Sequence, residues 1–348
     1  MRRGIGTLVC LVALLGLLVV PTARAAYDPL ASGTTVFKLD RGFVALLRSH
    51  GVKISTREGA SFTGAALRFP VAGGRFDPTT RKGTVEHGGA AVFKRGNRTL
   101  PLKGLQLKTT RRSSPFVVRL GGSQLKLGPA RRLAVSRQGF GEKVSVSTLK
   151  LSAKVASRLS KQLRLRDVFQ EGMLVASSVT KAAPTTVTIQ GKSNVSLDLD
   201  PAMATKLHDL HVAVNPIFPA EHPGPFTFPI FTGKLAPSLS NGFLQLEGAV
   251  ELLQLGGGQV IWKEPVLDLD SSVVFPRERE AVAGLSLGAG STEANPGART
   301  LAATGATLTL NDSTAATFND GFAKPQGKQG VFNAGEILGR ISFVADAQ

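Results

Sequence analysis

The stretch VFKLDRGFVALLRSHGV (36–52) returns as SLDLDPAMATKLHDLHV (196–212), and that return decides the fold. Each copy starts as an alternating strand, turns at an aspartate and continues with apolar residues at helical spacing. Asp40 and Asp200 stand where a helix N-cap belongs, and Pro201 takes the first helical position. Phe43, Leu46, Leu47 and His50 share one face of the first helix, which Gly51 ends; Met203, Leu207 and Leu210 repeat that face in the second copy.

Outward from this pair the likeness continues in order and spacing. ALRFPVAGGRFDP (66–78) returns as FTFPIFTGKLAP (226–237), and GTVEHGGAAVF (83–93) as GFLQLEGAVEL (242–252). LKLSAKVASRL (149–159) with VFQEGMLVAS (168–177) returns as LTLNDSTAATF (308–318) with VFNAGEILGR (331–340). Solenoid repeats run to about 20–50 residues, so a unit this long is a whole domain. Period-two alternation predicts strands: Leu244, Leu246, Val250 and Leu252 in one, Ala306, Leu308 and Leu310 in another. Gly, Pro, Ser and Asn clusters punctuate them at short intervals. The expectation is a mainly β chain of two tandem antiparallel β-sandwich-like domains, residues 26–190 and 191–348. Each carries two short helices, the second starting near Ser152 and near Asn311. The segment TKAAPTTVTIQGKS (180–193) reads as a short linker.

Residues 1–25 read as a signal peptide. Arg2 and Arg3 precede the apolar run LVCLVALLGLLVV (8–20), and Ala23-Arg24-Ala25 offers small residues for cleavage near Ala25. The sole cysteine, Cys10, falls inside this segment. Disulfides and thiolate metal sites are therefore excluded from the mature chain. No second long apolar run appears, so the reading is a secreted or envelope protein without a transmembrane anchor.

Charge divides sharply between the copies. Residues 26–182 hold 29 Lys and Arg against 8 Asp and Glu, a net +21, whereas residues 183–348 carry a net −6. The first copy is thus suited to an anionic partner: an envelope polymer, a lipid surface or an acidic small ligand. Export and the scarcity of aromatics on the basic stretches argue against nucleic acid.

The order of these segments resembles the HtaA domain. A strand leads into an F-x-x-x helix, then FPV-x-G-G-x-x-D, hairpin strands with G-x-V-x-x-x-G-x-V-x-F, and a closing L-T-L strand, short helix and F-x-x-G. The resemblance covers both copies. It implies an exported haem-uptake domain with an antiparallel β fold and short helices, in some Gram-positive bacteria. It also implies haem ligation by a tyrosinate on the first helix, a hard donor suited to ferric iron, assisted by a hairpin histidine. Here the tyrosine position holds Leu46 in one copy and Lys206 in the other, and the late aromatic position holds Phe169 and Phe332. The hairpin positions near Gly96-Asn97 and Gly256-Gly257 lack histidine, and the single tyrosine, Tyr27, lies outside the repeat.

The substitute ligands are His50, on the same helix face as Leu46, the pair His208 and His211, and His87 in the strand Val85-Glu86-His87. His222 lies in a loop. No nucleophile motif, phosphate loop or carboxylate–histidine cluster points to an enzyme, and no metal set stands out. Two readings remain. One is a carrier of haem or another small anionic apolar ligand. The other is an adhesion or structural module holding acidic polymers or lipid through its basic first copy.

Overall fold

The structure is a computed structural model; it describes residues 28–348 apart from Pro78, 111–114, Lys192, Pro223 and 278–283. The signal segment, its cleavage point and Tyr27 lie outside the described residues.

The first repeat begins with β1 (Asp28–Leu39), α1 (Arg41–Ser49), β2 (Lys53–Arg57), β3 (Ser61–Thr63), β4 (Ala66–Asp77), β5 (Lys82–His87) and β6 (Ala90–Arg95). It continues with β7 (Arg98–Thr109), β8 (Phe116–Leu120), β9 (Ser123–Gly128), β10 (Ala130–Gln138), β11 (Gly141–Lys150), α2 (Ala153–Leu163) and β12 (Leu174–Pro184). The second begins with β13 (Val187–Gln190), β14 (Asn194–Leu199), α3 (Pro201–Asp209), β15 (Val212–Ile217), β16 (Phe226–Leu235), β17 (Gly242–Leu246) and β18 (Ala249–Gln254). Then come β19 (Gln259–Lys263), β20 (Pro265–Asp268), β21 (Val273–Pro276), β22 (Leu285–Leu287), β23 (Ser291–Asn295), β24 (Thr300–Leu310), α4 (Asp312–Phe318) and β25 (Ile337–Asp346). Two short turns, a π turn (Asn319–Ala323) and a 3-10 turn (Lys324–Gln326), prolong α4.

The antiparallel ladders of the two repeats match. β12–β1–β4–β5 corresponds to β25–β14–β16–β17, and β5–β7–β8–β9 to β17–β20–β21–β22. The flap β2–β6–β7 corresponds to β15–β18–β19. The long β7 is divided in the second repeat at Glu264, whose φ is 45°.

Alternation suggested sandwiches, but the second repeat closes on itself. β16 pairs with both β14 and β17, and β22 pairs with β24, giving a ring of eight: β14, β16, β17, β20, β21, β22, β24 and β25. In the first repeat the corresponding join is open: among the described residues no ladder links β9 to β11. β9 instead abuts the end of β11. A Cβ on Gly128 would overlap the Lys150 carbonyl oxygen, so only glycine allows this approach. Ser152 N–H then donates to Leu127 O at 2.8 Å.

The residues expected to form one strand, Leu244 to Leu252, form two, β17 and β18, joined at Glu247-Gly248. The expected linker 180–193 is folded: its start completes β12, and β13 pairs with β16. Helix starts follow the sequence cues. Asp40 Oδ1 accepts from Phe43 N–H at 3.1 Å, Asp200 from Ala202 at 2.9 Å, Ser152 Oγ from Val155 at 3.4 Å and Asn311 Oδ1 from Thr314 at 2.8 Å. Each barrel is filled by its own apolar cluster. Phe37 meets Phe69 and Phe116 edge-on at 5.8 and 5.1 Å in the first; Phe318 meets Phe322 and Phe332 at 5.4 and 5.2 Å in the second.

The repeats touch where β1 begins and β10 turns into β11. Arg299 of the second repeat donates to Gly139 O at 2.5 Å and to Gln348 O, which also accepts from Arg137 at 2.7 Å. Thr185 N–H donates to Pro29 O at 2.9 Å, and Thr188 N–H to Asp28 Oδ1 at 3.3 Å. Phe140 leaves its own repeat to join the second apolar cluster. Beneath this contact Asp28, Asp77 and Glu142 are buried.

Candidate functional site

The helix end of each barrel is where the sequence placed a ligand. In the first repeat α1 buries Phe43 and Leu47, and half-buried Leu46 packs on the same cluster. Phe43 lies 6.3 Å from buried Phe169. His50 caps α1: its N–H points at Leu46 O (3.3 Å), and its carbonyl accepts from Arg95 Nε at 3.0 Å. Arg95 Nη1 also reaches Leu163 O and Arg164 O, each at 3.0 Å. One guanidinium therefore ties the C-terminal ends of α1 and α2, where carbonyls concentrate negative potential. Sequence reading passed over Arg95, because its partners are brought near only by folding.

The second repeat fills the matching place with polar bonds. Lys206 Nζ donates to Val331 O at 2.8 Å and to Glu336 Oε2 at 2.7 Å, and stands 5.4 Å from the centre of the Phe332 ring. Burial pushes the Glu336 carboxyl up, but hydrogen bonds from Lys206 and Asn333 outweigh it and hold the group below its ordinary range. Asn319 Oδ1 accepts from Val331 N–H (2.9 Å) and Phe332 N–H (3.0 Å), while Asn319 Nδ2 donates to Phe332 O (2.7 Å). Asn319, Glu336 and Arg95 fix the site's shape, and none carried a motif that would have singled it out.

The candidate histidines are not brought together. α3 ends at Asp209, and His211 sits beyond it at φ 53°, so His208 and His211 share no helical face. His208 is 91% exposed, with Nδ1 3.7 Å from the Asp209 carboxylate. His222, also exposed, stacks on Phe226 at 4.1 Å. His87 is buried in the first barrel wall, as its alternation with Val85 implies. Its Nδ1 faces Leu105 O at 3.0 Å and its Nε2 faces Thr35 Oγ1 at 2.6 Å, which in turn meets Thr180 Oγ1 at 2.7 Å. A carbonyl can only accept, so Nδ1 carries the proton, Nε2 accepts from Thr35, and Thr35 accepts from Thr180. Burial lowers the His87 pKa to about 4.

Among the described residues no group of three or more His, Cys, Asp or Glu gathers as a metal set. Asp200 caps α3, while Asp268 accepts from Ser271 Oγ at 2.6 Å and from Asp270 N–H at 2.9 Å. Inside the barrels the cavities are about 50 Å³ and about 40 Å³, with apolar linings. Ligand pockets run to about 300–1,000 Å³, so these two cavities are gaps in packed cores, while a separate cavity of about 330 Å³ in the second repeat is lined by Leu239, Leu287, Ala303, Ala306, Ile341 and Phe343. No helix among the described residues is long and apolar enough to cross a membrane.

No protein-family model and no curated protein matches the chain. Among solved structures it is similar to the C-terminal domain of HtaA from Corynebacterium glutamicum, with 12% identity over 44% of this chain and 98% of that one, at a TM-score of 0.36. It is also similar to the N-terminal domain of that HtaA, with 16% identity over 44% and 98% at a TM-score of 0.33. A third similar structure is the heme binding protein HtaB of the same organism, with 13% identity over 45% and 95% at a TM-score of 0.29. The segment order read as HtaA-like in the sequence is thus accompanied by similarity to HtaA domains among solved structures.

Proposed function

We propose that the chain is an exported, non-catalytic envelope protein of two HtaA-like domains, residues 26–190 and 191–348. Its basic first domain holds an anionic envelope component on its outer surface. The observation that carries this reading is the excess of cations over acids: 29 Lys and Arg meet 8 Asp and Glu in residues 26–182, so at least twenty-one have no acid of their own repeat to pair with. Lys103 with Glu58, 2.7 Å apart, is an exposed exception. Sustaining such a field costs self-repulsion, which an anionic partner relieves. Pulldown of the full chain by immobilised acidic polymer tests it. Binding that weakens strongly between low and physiological salt is expected, and absent or salt-insensitive binding overturns it.

Haem of the tyrosinate type does not fit these residues. Leu46 offers no donor, Lys206 is held by Glu336 and Val331, and the apolar cavities of about 50 and about 40 Å³ have no room for a porphyrin. The second reading, a carrier of haem or another small planar anion, rests on His50, a half-buried residue at the end of α1 whose carbonyl accepts from Arg95. A saturable Soret shift lost in His50→Ala would support it; no shift with the full chain removes it.

A further inference from the structure

The cations of the first repeat are not spread evenly. On the outer face of β11–β12–β1–β4, Lys143 stands directly opposite Lys181, and Lys181 opposite Thr34. In the next row Ser145, Val179, Val36 and Arg68 lie side by side, and in the row after that Ser177 faces Lys38. Lys38, Arg68, Lys143 and Lys181 are all exposed, and among the described residues no ion pair engages them. These rows present no outward acid: Glu142 points inward, and Glu58, beyond Pro70, is taken up by Lys103. Strands lie about 4.8 Å apart and rise about 3.3 Å per residue, so the four cations fall within roughly 14 by 13 Å.

Like charges directly opposite on a sheet destabilise it, so the fold does not ask for Lys143 against Lys181. The second repeat builds the same wall without them. Where the first has Lys38 against Ser177, the second has Asp198 against Arg340, opposite charges across the same ladder. The wall therefore tolerates neutralisation, and the first repeat leaves it out.

We infer that this face is a docking surface for a linear polyanionic carbohydrate, gripped by Lys143, Lys181, Arg68 and Lys38. The inference rests on the anionic-partner reading above and names its site. Charge complementarity sets the sign of the occupant. The hydroxyls of Ser136, Ser145, Ser177 and Thr34 among the cations suit a hydroxylated chain. The apolar residues of the face, Val36 and Val179, are too small and too flush with the sheet to anchor in a bilayer.

The test uses the full chain and three probes: dextran sulfate, neutral dextran, and vesicles of phosphatidylglycerol with phosphatidylcholine. The face variant K38Q/R68Q/K143Q/K181Q is set against an equal charge removal elsewhere on the repeat, K53Q/K94Q/K154Q/R166Q. The control includes a second like-charged pair, Lys53 across from Lys94 on the flap. Expected are dextran sulfate binding by wild type and control within about twofold of each other, and a loss of about tenfold or more in the face variant. In low salt the face variant itself should melt at or above the wild-type temperature, since it removes the Lys143–Lys181 repulsion, and that melt shows it folded. If dextran sulfate binds but both variants weaken it equally, the face assignment falls and the broader reading stands. If wild type binds vesicles but not dextran sulfate, the carbohydrate falls in favour of lipid. If wild type binds neither, both fall together.

Discussion

His87 shows how much one side chain is fixed by partners far away in the chain. Thr35 and Thr180 are 52 and 145 residues from the groups they bond, so alternation indicated that His87 faces inward but not what it would meet there. The completed relay leaves the ring neutral, and its ordinary pKa of 6.5 falls to about 4. Between these values the unfolded chain binds a proton that the folded chain refuses. The contribution of His87 is therefore full above 6.5, drains away as pH falls toward 4 and is flat below. Read as the difference between wild type and His87→Ala in urea unfolding, this contribution should fall by on the order of 3 kcal/mol across that window. His87→Ala should remove this pH dependence. It should also cost about 2–4 kcal/mol at pH 7, because the Thr35 hydroxyl and Leu105 carbonyl lose their partner in a buried space.

At the scale of elements, the helix starts were legible because a cap is a local affair. Asn311 Oδ1 accepts from Thr314 N–H and Ser313 Oγ, at 2.8 and 2.9 Å, while the Thr314 hydroxyl donates to Gly284 O at 2.7 Å. Ser152 Oγ receives Val155 N–H at a long 3.4 Å. Thermal melts should therefore find Asn311→Ala more costly, at about 1–2 kcal/mol, than Ser152→Ala at about 0.5 kcal/mol. Sheet closure was not legible. The pairs β16–β17 and β22–β24 make a ring out of strands whose alternation would serve a sandwich equally well. The family ligand position was legible as a departure, Leu46 and Lys206, yet its new partners were not, since Glu336 lies 130 residues from Lys206. Lys206→Met should lower stability by about 1 kcal/mol, a figure that allows for the pair's partial exposure. Glu336 is held low by Lys206, so this stabilisation is present at neutral pH and lost as pH falls through the depressed carboxyl range. Melting curves of the two proteins should converge in acid.

For the whole molecule, the contact between repeats encloses carboxyls that resist ionisation. Burial, reinforced by the Asp28 charge, pushes Glu142 up to about 8, against the ordinary 4.5, and burial raises Asp28 as well. Glu142 Oε2 has no hydrogen-bond partner among the described residues. Arg137 and Arg299 face the cluster and temper it, while Asp77 adds to the repulsion. Here the folded chain keeps a proton that the unfolded chain has released. The contribution of Glu142 to stability is thus lost as pH rises from about 4.5 to about 8. Glu142→Gln should abolish that slope and gain on the order of 2 kcal/mol at pH 8, read by denaturant midpoint. A parallel slope in the variant would remove Glu142 as the cause. None of this was readable from the pattern of the chain, because Glu142 alternates like a core residue while carrying a charge, and its neighbours come from both repeats.

The open join between β9 and β11 gives the two repeats different responses to load. A closed hoop has no free margin, so force along its strands must break many hydrogen bonds at once. The first repeat is a split hoop: among the described residues the wing β10–β11–β12 joins the rest of the wall through the β1–β12 ladder, and single ties such as Ser152 to Leu127 and Arg299 to Gly139 hold its other margins. That wing carries Lys143 and Lys181. Tension from a partner held there would load the β1–β12 ladder and those few ties, whereas the second repeat shares its load round a closed ring.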